Sequence, residues 1–312
     1  MYLPVLRGKQ YELLALREFS KEIRGSDIIA PVIEPVKSEF KTLETACNFL
    51  AKEDVCFTII INPSVGEIKN PEHILRQINN TKCLRDNPRF QIGIHSYNES
   101  QLEFILGLIK EYGLENQELI IIHNDTISED FYRAVSGAYK VKFNFLHEKI
   151  KVRRYKYLFP SETRVLLDDV FESKPKNSDY IGFEDEPFSD IYLIYKEENY
   201  FGFSDYLTIG EQYTDGGFLP YAVVIHLTYE SRDGLRIKHF VSDSNDDYHD
   251  TPGKFAEALG KLVSFTATLP FKTKAIKTFE EYYNSSHYPG LGSIKKLSML
   301  NHLELVNYLL TK

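Results

Sequence analysis

Polar side chains follow a series of short apolar segments in the first two thirds of the chain, and several are of types that do chemistry. Imidazole titrates near neutral pH, and a positioned carboxyl group can give or take a proton during a reaction. We therefore treat the carboxylates and imidazoles at these segment ends as candidate catalytic residues. They are Glu34, His95, His123, Asp168 and Asp205.

The acidic members of this set also suggest a metal site. Asp168, Asp169 and Asp205 would offer carboxylate oxygens, the ligands that hard divalent cations prefer. The competing interpretation is that Asp168 or Asp205 caps a turn and that the histidines form hydrogen bonds across the barrel mouth. The other polar side chains at segment ends, which we assign to ligand binding, are Arg7, Asn62 and Asn144.

The elements that must position these residues alternate between apolar strands and amphipathic helices. In the helix predicted at 100–112, for example, Leu102, Ile105 and Ile109 share one face. Apolar strands alternating with helices indicate a parallel sheet buried on both faces. Eight such strands predict a (β/α)8 TIM-like barrel over residues 1–210, and no G-x-G-x-x-G turn supports a dinucleotide-binding sheet. Active sites of such barrels form where the strands end, so the polar side chains should meet at one mouth.

Residues 211–312 have a different pattern. An Asp-Gly pair at 233–234 lies between two apolar segments and predicts a β-hairpin. Helical patterns follow at 251–269, 274–283 and 293–310. We expect this part to be a C-terminal elaboration of hairpin and helices packed on the barrel, because no long polar linker precedes it.

Charge and apolar content restrict the partners. The chain has 37 Lys and Arg against 45 Asp and Glu, a net charge of −8, which disfavours nucleic acid as a ligand. No apolar stretch is long enough for a membrane span, and we expect a cytoplasmic protein without a membrane partner. One basic segment could still bind phosphate, although a solvated loop or helix face is the simpler explanation. Its basic residues are Lys149, Lys151, Arg153, Arg154 and Lys156.

Five short motifs resemble a known family. They are Tyr2–Glu12 (YLPVLRGKQYE), Pro31–Pro35 (PVIEP), Asn62–Pro63, Gly202–Tyr206 (GFSDY) and Asn301–Val306 (NHLELV). Together they resemble the Beta-protein family of phages, phage satellites and bacteria. The chain departs from that family's pattern because it contains no tryptophan.

The resemblance implies a barrel-like fold and a role in antiphage defence or immunity, with a protein partner from the same cassette. It implies no particular reaction. The positions that it marks are Arg7, Lys9, Glu34, Asp205 and His302. Of these, Lys9 and His302 join the ligand-binding set, provided that the last helix brings His302 to the barrel mouth.

Two functions therefore remain open at this point. The first is a defence-associated protein that acts through a protein partner or a bound ligand. The second is a metal-dependent, phosphodiesterase-like hydrolase with its site at the barrel mouth, where His95 or His123 would move the proton and a divalent metal would be the cofactor. Convergence of the candidate catalytic residues would favour the hydrolase, and their separation would favour the binding protein.

Overall fold

A computed structural model of the protein describes residues 1–150, 152–214 and 220–312. The chain divides into two compact units. Unit 1 contains Met1–Asp169 and Leu193–Tyr206, and unit 2 contains Val170–Tyr192 and Leu207–Lys312. The boundary thus differs from the one expected at residue 210, because 170–192 belong with the C-terminal part.

Unit 1 is a nearly closed barrel of eight parallel strands, as the sequence predicts. In spatial order, these strands are β1 (Val5–Leu6), β2 (Val32–Ile33), β3 (Phe57–Ile60), β4 (Phe90–Ser96), β5 (Glu118–His123), β6 (Val141–His147), β7 (Arg164–Leu167) and β9 (Gly202–Ser204). The last strand returns to the first, since Leu3 N donates to Phe203 O and Val5 N donates to Asp205 O, both at 2.9 Å.

Helices alternate with these strands and cover the outside of the barrel. They are α1 (Gln10–Phe19), α2 (Lys41–Lys52), α3 (Pro71–Asn80), α4 (Lys82–Arg85), α5 (Glu99–Glu111) and α6 (Glu129–Ala138). Local signals fix where they begin: the Asn70 side chain accepts from Glu72 N at 2.9 Å, with Pro71 in the first turn. Between β6 and β7 the chain forms two 3-10 helices, Arg153–Leu158 and Ser161–Thr163, and α7 (Ile191–Ile194) precedes β9.

Side chains from alternate strand positions fill the barrel interior. Ile60, Ile120, Ile122, Phe143 and Phe145 belong to this core, together with residues of the other strands. β4 contributes Gly93 there, and a Cβ at that position would lie 2.9 Å from Ile60 Cγ1 and 3.0 Å from Thr58 Cγ2. Because neighbouring residues of a strand point to opposite faces, a shift of one position decides whether a polar strand end faces the mouth or the helices.

Unit 2 is built on a three-stranded antiparallel sheet with strand order β10-β11-β8. Its elements are β8 (Asp185–Ser189), β10 (Val224–Ser231), β11 (Gly234–Val241), α8 (Thr251–Thr266), α9 (Lys274–Asn284), α10 (Leu291–Thr311) and a 3-10 helix at Asn177–Tyr180. The predicted hairpin and three helices are present, and β8 is an addition. None of the described helices is both long and apolar enough to cross a membrane.

Candidate functional site

A buried ion pair lies at the mouth of unit 1, where β1 and β2 end. Arg7 Nη1 contacts Glu34 Oε2, and the two side chains are 5% and 0% exposed. The Arg7 guanidinium also lies over the ring of Tyr206, 5.0 Å from its centroid. A buried charge is tolerated when a partner compensates it, so each of these two residues requires the other.

His95 at the end of β4 joins this pair. Its Nε2 lies 3.4 Å from Glu34 Oε1, and its Nδ1 accepts a hydrogen bond from Asn124 Nδ2 at 3.1 Å. With Nδ1 acting as an acceptor, the proton of the neutral ring sits on Nε2 and faces the carboxylate. Asn62 holds the backbone of His95 through two hydrogen bonds, of 2.8 and 2.9 Å. We call Arg7, Glu34, Asn62 and His95 the mouth cluster.

The second carboxylate oxygen of the cluster is bound from the loop after β3. Ser64 donates to Glu34 Oε1 from its backbone nitrogen at 2.6 Å and from its hydroxyl at 2.8 Å. Four groups therefore surround one buried carboxylate: a guanidinium, an amide, a hydroxyl and an imidazole. Such a network fixes the position of its members and holds Glu34 as an acceptor.

Glu12 is a second buried carboxyl group near this cluster, and the sequence reasoning missed it. It accepts a hydrogen bond from the backbone nitrogen of Arg7, and burial raises its pKa to about 7, although the charge of Lys9 opposes that rise. The detectable signal was an acidic residue on the apolar face of α1 beside Leu13 and Leu16, both of which are buried.

His123 and Asn144 do not belong to the mouth cluster, which corrects their assignment to catalysis and ligand binding there. They occupy strand positions between the interior residues and face the helices. His123 Nδ1 accepts from the hydroxyl of Tyr155 at 2.8 Å, and its Nε2 lies 3.1 Å from Asn144 Oδ1. Asn144 Nδ2 in turn donates to the Tyr132 hydroxyl at 3.1 Å. Burial lowers the pKa of His123 to about 4, so the ring is neutral at physiological pH.

Asp205 also has a different partner from the one expected. The hydroxyl of Tyr2 donates to Asp205 Oδ1 at 2.7 Å, and the Tyr2 ring stacks on Phe203 at 5.0 Å. Burial, followed by the charge of Asp205, raises the pKa of Tyr2 well above its ordinary value. This contact joins the beginning of the chain to the end of β9, where the barrel closes.

Asp168, at the end of β7, belongs to another group. Burial, a hydrogen bond with Glu148 and the charge of Glu148 raise the pKa of Asp168 to about 7, while the neighbouring His147 opposes the shift. His147 and Glu148 were missed because the apolar pattern of the sequence predicts that the sixth strand ends at Phe145, whereas β6 extends to His147. A carboxyl group with this pKa exists in both protonation states near neutral pH.

The predicted metal trio does not form. Across residues 1–150, 152–214 and 220–312, no group of three or more His, Cys, Asp or Glu side chains is placed to hold a metal ion. Asp205 binds Tyr2, and Asp168 binds Glu148, while Asp169 is the adjacent residue of the same chain segment. Three aspartates at strand ends therefore do not share one metal, which corrects that assignment.

His302 lies in the core of unit 2, where α10 covers β10. It is fully buried, and its Nδ1 lies 3.1 Å from Thr228 Oγ1. The ring of Phe188 meets it edge to face, at 5.2 Å between centroids. These contacts hold α10 on the sheet, so the ligand-binding role assigned to His302 has no support from its surroundings.

The basic segment lies in the connection between β6 and β7. Arg153 and Arg154 are exposed, Lys156 is partly exposed, and Lys151 lies outside the described residues.

A search with family models and a search of curated proteins found no match to this chain.

Proposed function

We propose that this chain is a Beta-type barrel protein that functions in antiphage defence or immunity by binding a protein partner or a ligand. One observation carries the proposal: of the five candidate catalytic residues, only Glu34 and His95 lie together. His123 and Asp168 belong to other networks, and Asp205 accepts a hydrogen bond from the hydroxyl of Tyr2. Separation of these groups favours binding over catalysis by that set.

The protein surface also favours binding. Among the described residues, nine of the twelve large hydrophobic side chains that are exposed are Tyr or Phe. Aromatic residues, and Tyr in particular, are enriched at protein interfaces and among the residues that dominate binding energy. The defence context is supported by the family-like motifs that contain Arg7, Glu34 and Asp205.

A phage infection assay tests this proposal. Phage should form fewer plaques on bacteria that express the chain with the genes that accompany it. The comparison is with bacteria from which the gene for this chain alone is deleted. An Asp168→Asn variant at wild-type expression should retain the protection, because binding does not need a proton donor at this position. Absence of protection by the wild type would refute the defence role. Loss of protection in Asp168→Asn would refute action by binding alone.

One observation favours a hydrolase as the second candidate. The carboxyl group of Asp168 has a pKa of about 7 at the end of the barrel where enzymes of this fold place their sites. As water attacks the phosphorus atom and the P–O bond to the leaving group breaks, protonated Asp168 would donate its proton to the departing alkoxide, and solvent would return a proton to Asp168. This candidate keeps the phosphodiesterase-like reaction and omits the metal trio.

Hydrolysis of a dinucleotide phosphodiester, whose leaving group is an alkoxide that needs a proton, tests the hydrolase with and without magnesium or manganese. Wild-type activity with a pH inflection near the pKa of Asp168, lost in Asp168→Asn and retained in the control Asp169→Asn, would support it. Absence of hydrolysis by wild-type protein under all these conditions would remove the phosphodiesterase-like activity.

A further inference from the structure

The segment from Lys140 to Arg164 has a charge opposite to that of the chain. It contains eight Lys and Arg residues and two Glu residues, whereas the whole chain has a net charge of −8. Charges more than about 10 Å away are largely screened at physiological ionic strength. The local charge therefore governs the first contact with an anionic ligand more strongly than the net charge does.

Two arginines in this segment differ from most surface arginines of the protein. Arg153 and Arg154 begin the 3-10 helix at Arg153–Leu158, and both are exposed. Within the part of the chain that the structure describes, neither guanidinium has an ion-pair or hydrogen-bond partner. Besides the buried Arg7, the arginines that do lie beside a carboxylate are Arg24, Arg76, Arg85, Arg89, Arg133 and Arg236.

The same 3-10 helix is anchored so that these side chains stay at the surface. Tyr155 turns inward, where its hydroxyl binds His123 and accepts a hydrogen bond from Ile127 N at 3.1 Å. Phe159, which follows the helix, packs on the His123 ring at 4.7 Å between centroids. With these two rings held in the core, the residues between and before them face outward.

An exposed aromatic ring lies among the cations. Tyr157 is 65% exposed, and the Arg164 guanidinium lies 5.5 Å from its ring centroid. Lys156 Nζ lies 5.7 Å from the centroid of Tyr157 and 5.0 Å from that of Tyr200. Exposed rings next to cations are the combination that binds single-stranded nucleic acid, with rings stacking on bases and cations holding phosphates.

We propose that this basic aromatic surface, comprising Arg153, Arg154, Lys156 and Tyr157, binds single-stranded nucleic acid without sequence preference. The exposed ring favours this ligand over an acidic protein, because a base offers it a flat partner and a carboxylate does not. Such binding would add a ligand to the proposed function and does not depend on the mouth cluster.

Fluorescence anisotropy of the full chain with a labelled single strand of about 20 nucleotides tests the proposal. The double variant Arg153→Ala/Arg154→Ala should bind about tenfold more weakly at low salt. The slope of log K against log salt should also be shallower by about 1.4, because each of the two lost phosphate contacts to a single strand contributes about 0.7. Tyr157→Ala should weaken binding about fivefold or more, and Tyr157→Phe should retain it. All three substituted side chains are exposed, and matching circular dichroism spectra would verify folding.

The matched control is Arg76→Ala/Arg133→Ala, which removes the same charge from α3 and α6 of unit 1. It should bind as the wild type does. Equal weakening in both double variants, or no binding by the wild type, would overturn the proposal. Displacement tests with polyglutamate and with duplex DNA separate the alternatives. Binding of polyglutamate without binding of the single strand would identify an acidic protein as the ligand instead, and preference for duplex would refute the role of the ring.

Discussion

Replacement of His123 by Gln should change how the stability of unit 1 depends on pH. In the wild type, Asn144 Nδ2 donates to Tyr132, so Asn144 Oδ1 is left to accept from His123 Nε2. His123 Nδ1 then accepts from Tyr155, whose hydroxyl oxygen also accepts from Ile127 N. Every hydrogen bond in this chain of contacts is compatible with the neutral ring. A second ring proton would face the Tyr155 hydroxyl and remove one of these bonds.

The size of the effect follows from the pKa. Burial lowers the pKa of His123 from 6.5 to about 4. Below pH 6.5 the unfolded chain therefore binds a proton that the folded chain does not, and stability present above that pH is lost progressively as the pH falls to about 4. Each pKa unit corresponds to about 1.4 kcal/mol, so this residue alone should remove about 2 kcal/mol between pH 7 and pH 5 and about 3 kcal/mol at the end of the window.

Urea denaturation followed by circular dichroism at a series of pH values measures this directly. The quantity to compare is the loss of unfolding free energy between neutral pH and about pH 5, because titration of the other groups is common to both proteins and cancels in the difference. The loss should be about 2 kcal/mol smaller in His123→Gln than in the wild type. Equal losses in the two proteins would refute the conclusion that the Tyr155–His123–Asn144 contacts keep the ring neutral.

Three further changes test other parts of unit 1. Gly93→Ala should destabilise the fold by about 1–3 kcal/mol in urea denaturation because its methyl group meets the filled interior, whereas Gly107→Ala, on an open helix face, should be neutral or stabilising. Arg7→Met should cost about 3–5 kcal/mol by leaving Glu34 buried without its cation, and the added change Glu34→Gln should recover part of that loss. Asp168→Asn should flatten the decline in melting temperature as the pH rises from 3.8 to about 7, since the raised pKa makes ionisation of the wild-type carboxyl destabilising throughout that range.

The barrel was predictable because its signals are local. Each strand is a short apolar segment, and helices such as α5 show their buried face in the spacing of Leu102, Ile105 and Ile109. The strand β8 was missed because its sequence, DEPFS, combines acids with a proline and lacks an apolar pattern. Its pairing with β11 depends on a contact distant in sequence, and that pairing is what moves residues 170–192 into unit 2.

The mouth cluster was only partly predictable for a related reason. Parallel strands end on the same side of the sheet, so Arg7, Glu34 and His95 could be grouped from sequence. The direction of each side chain depends on strand register, and an error of one residue moves a side chain to the opposite face. His123 was therefore misplaced, because Ile122, its neighbour, is the residue that faces the interior.

The polar side chains of unit 1 differ in whether they already have an ion-pair or hydrogen-bond partner. This difference indicates which of them can bind a ligand without losing an existing contact. Arg7, Glu34 and His95 are buried, and each has a partner from another strand, so a ligand would have to displace an existing contact to reach them. Displacement would leave a buried charge without compensation, which costs several kcal/mol. Arg153 and Arg154 carry no such cost, since they are exposed and have no described partner. If the protein acts by binding, the surface cations should therefore make the first contact with a ligand, while the mouth cluster holds the strand ends in position.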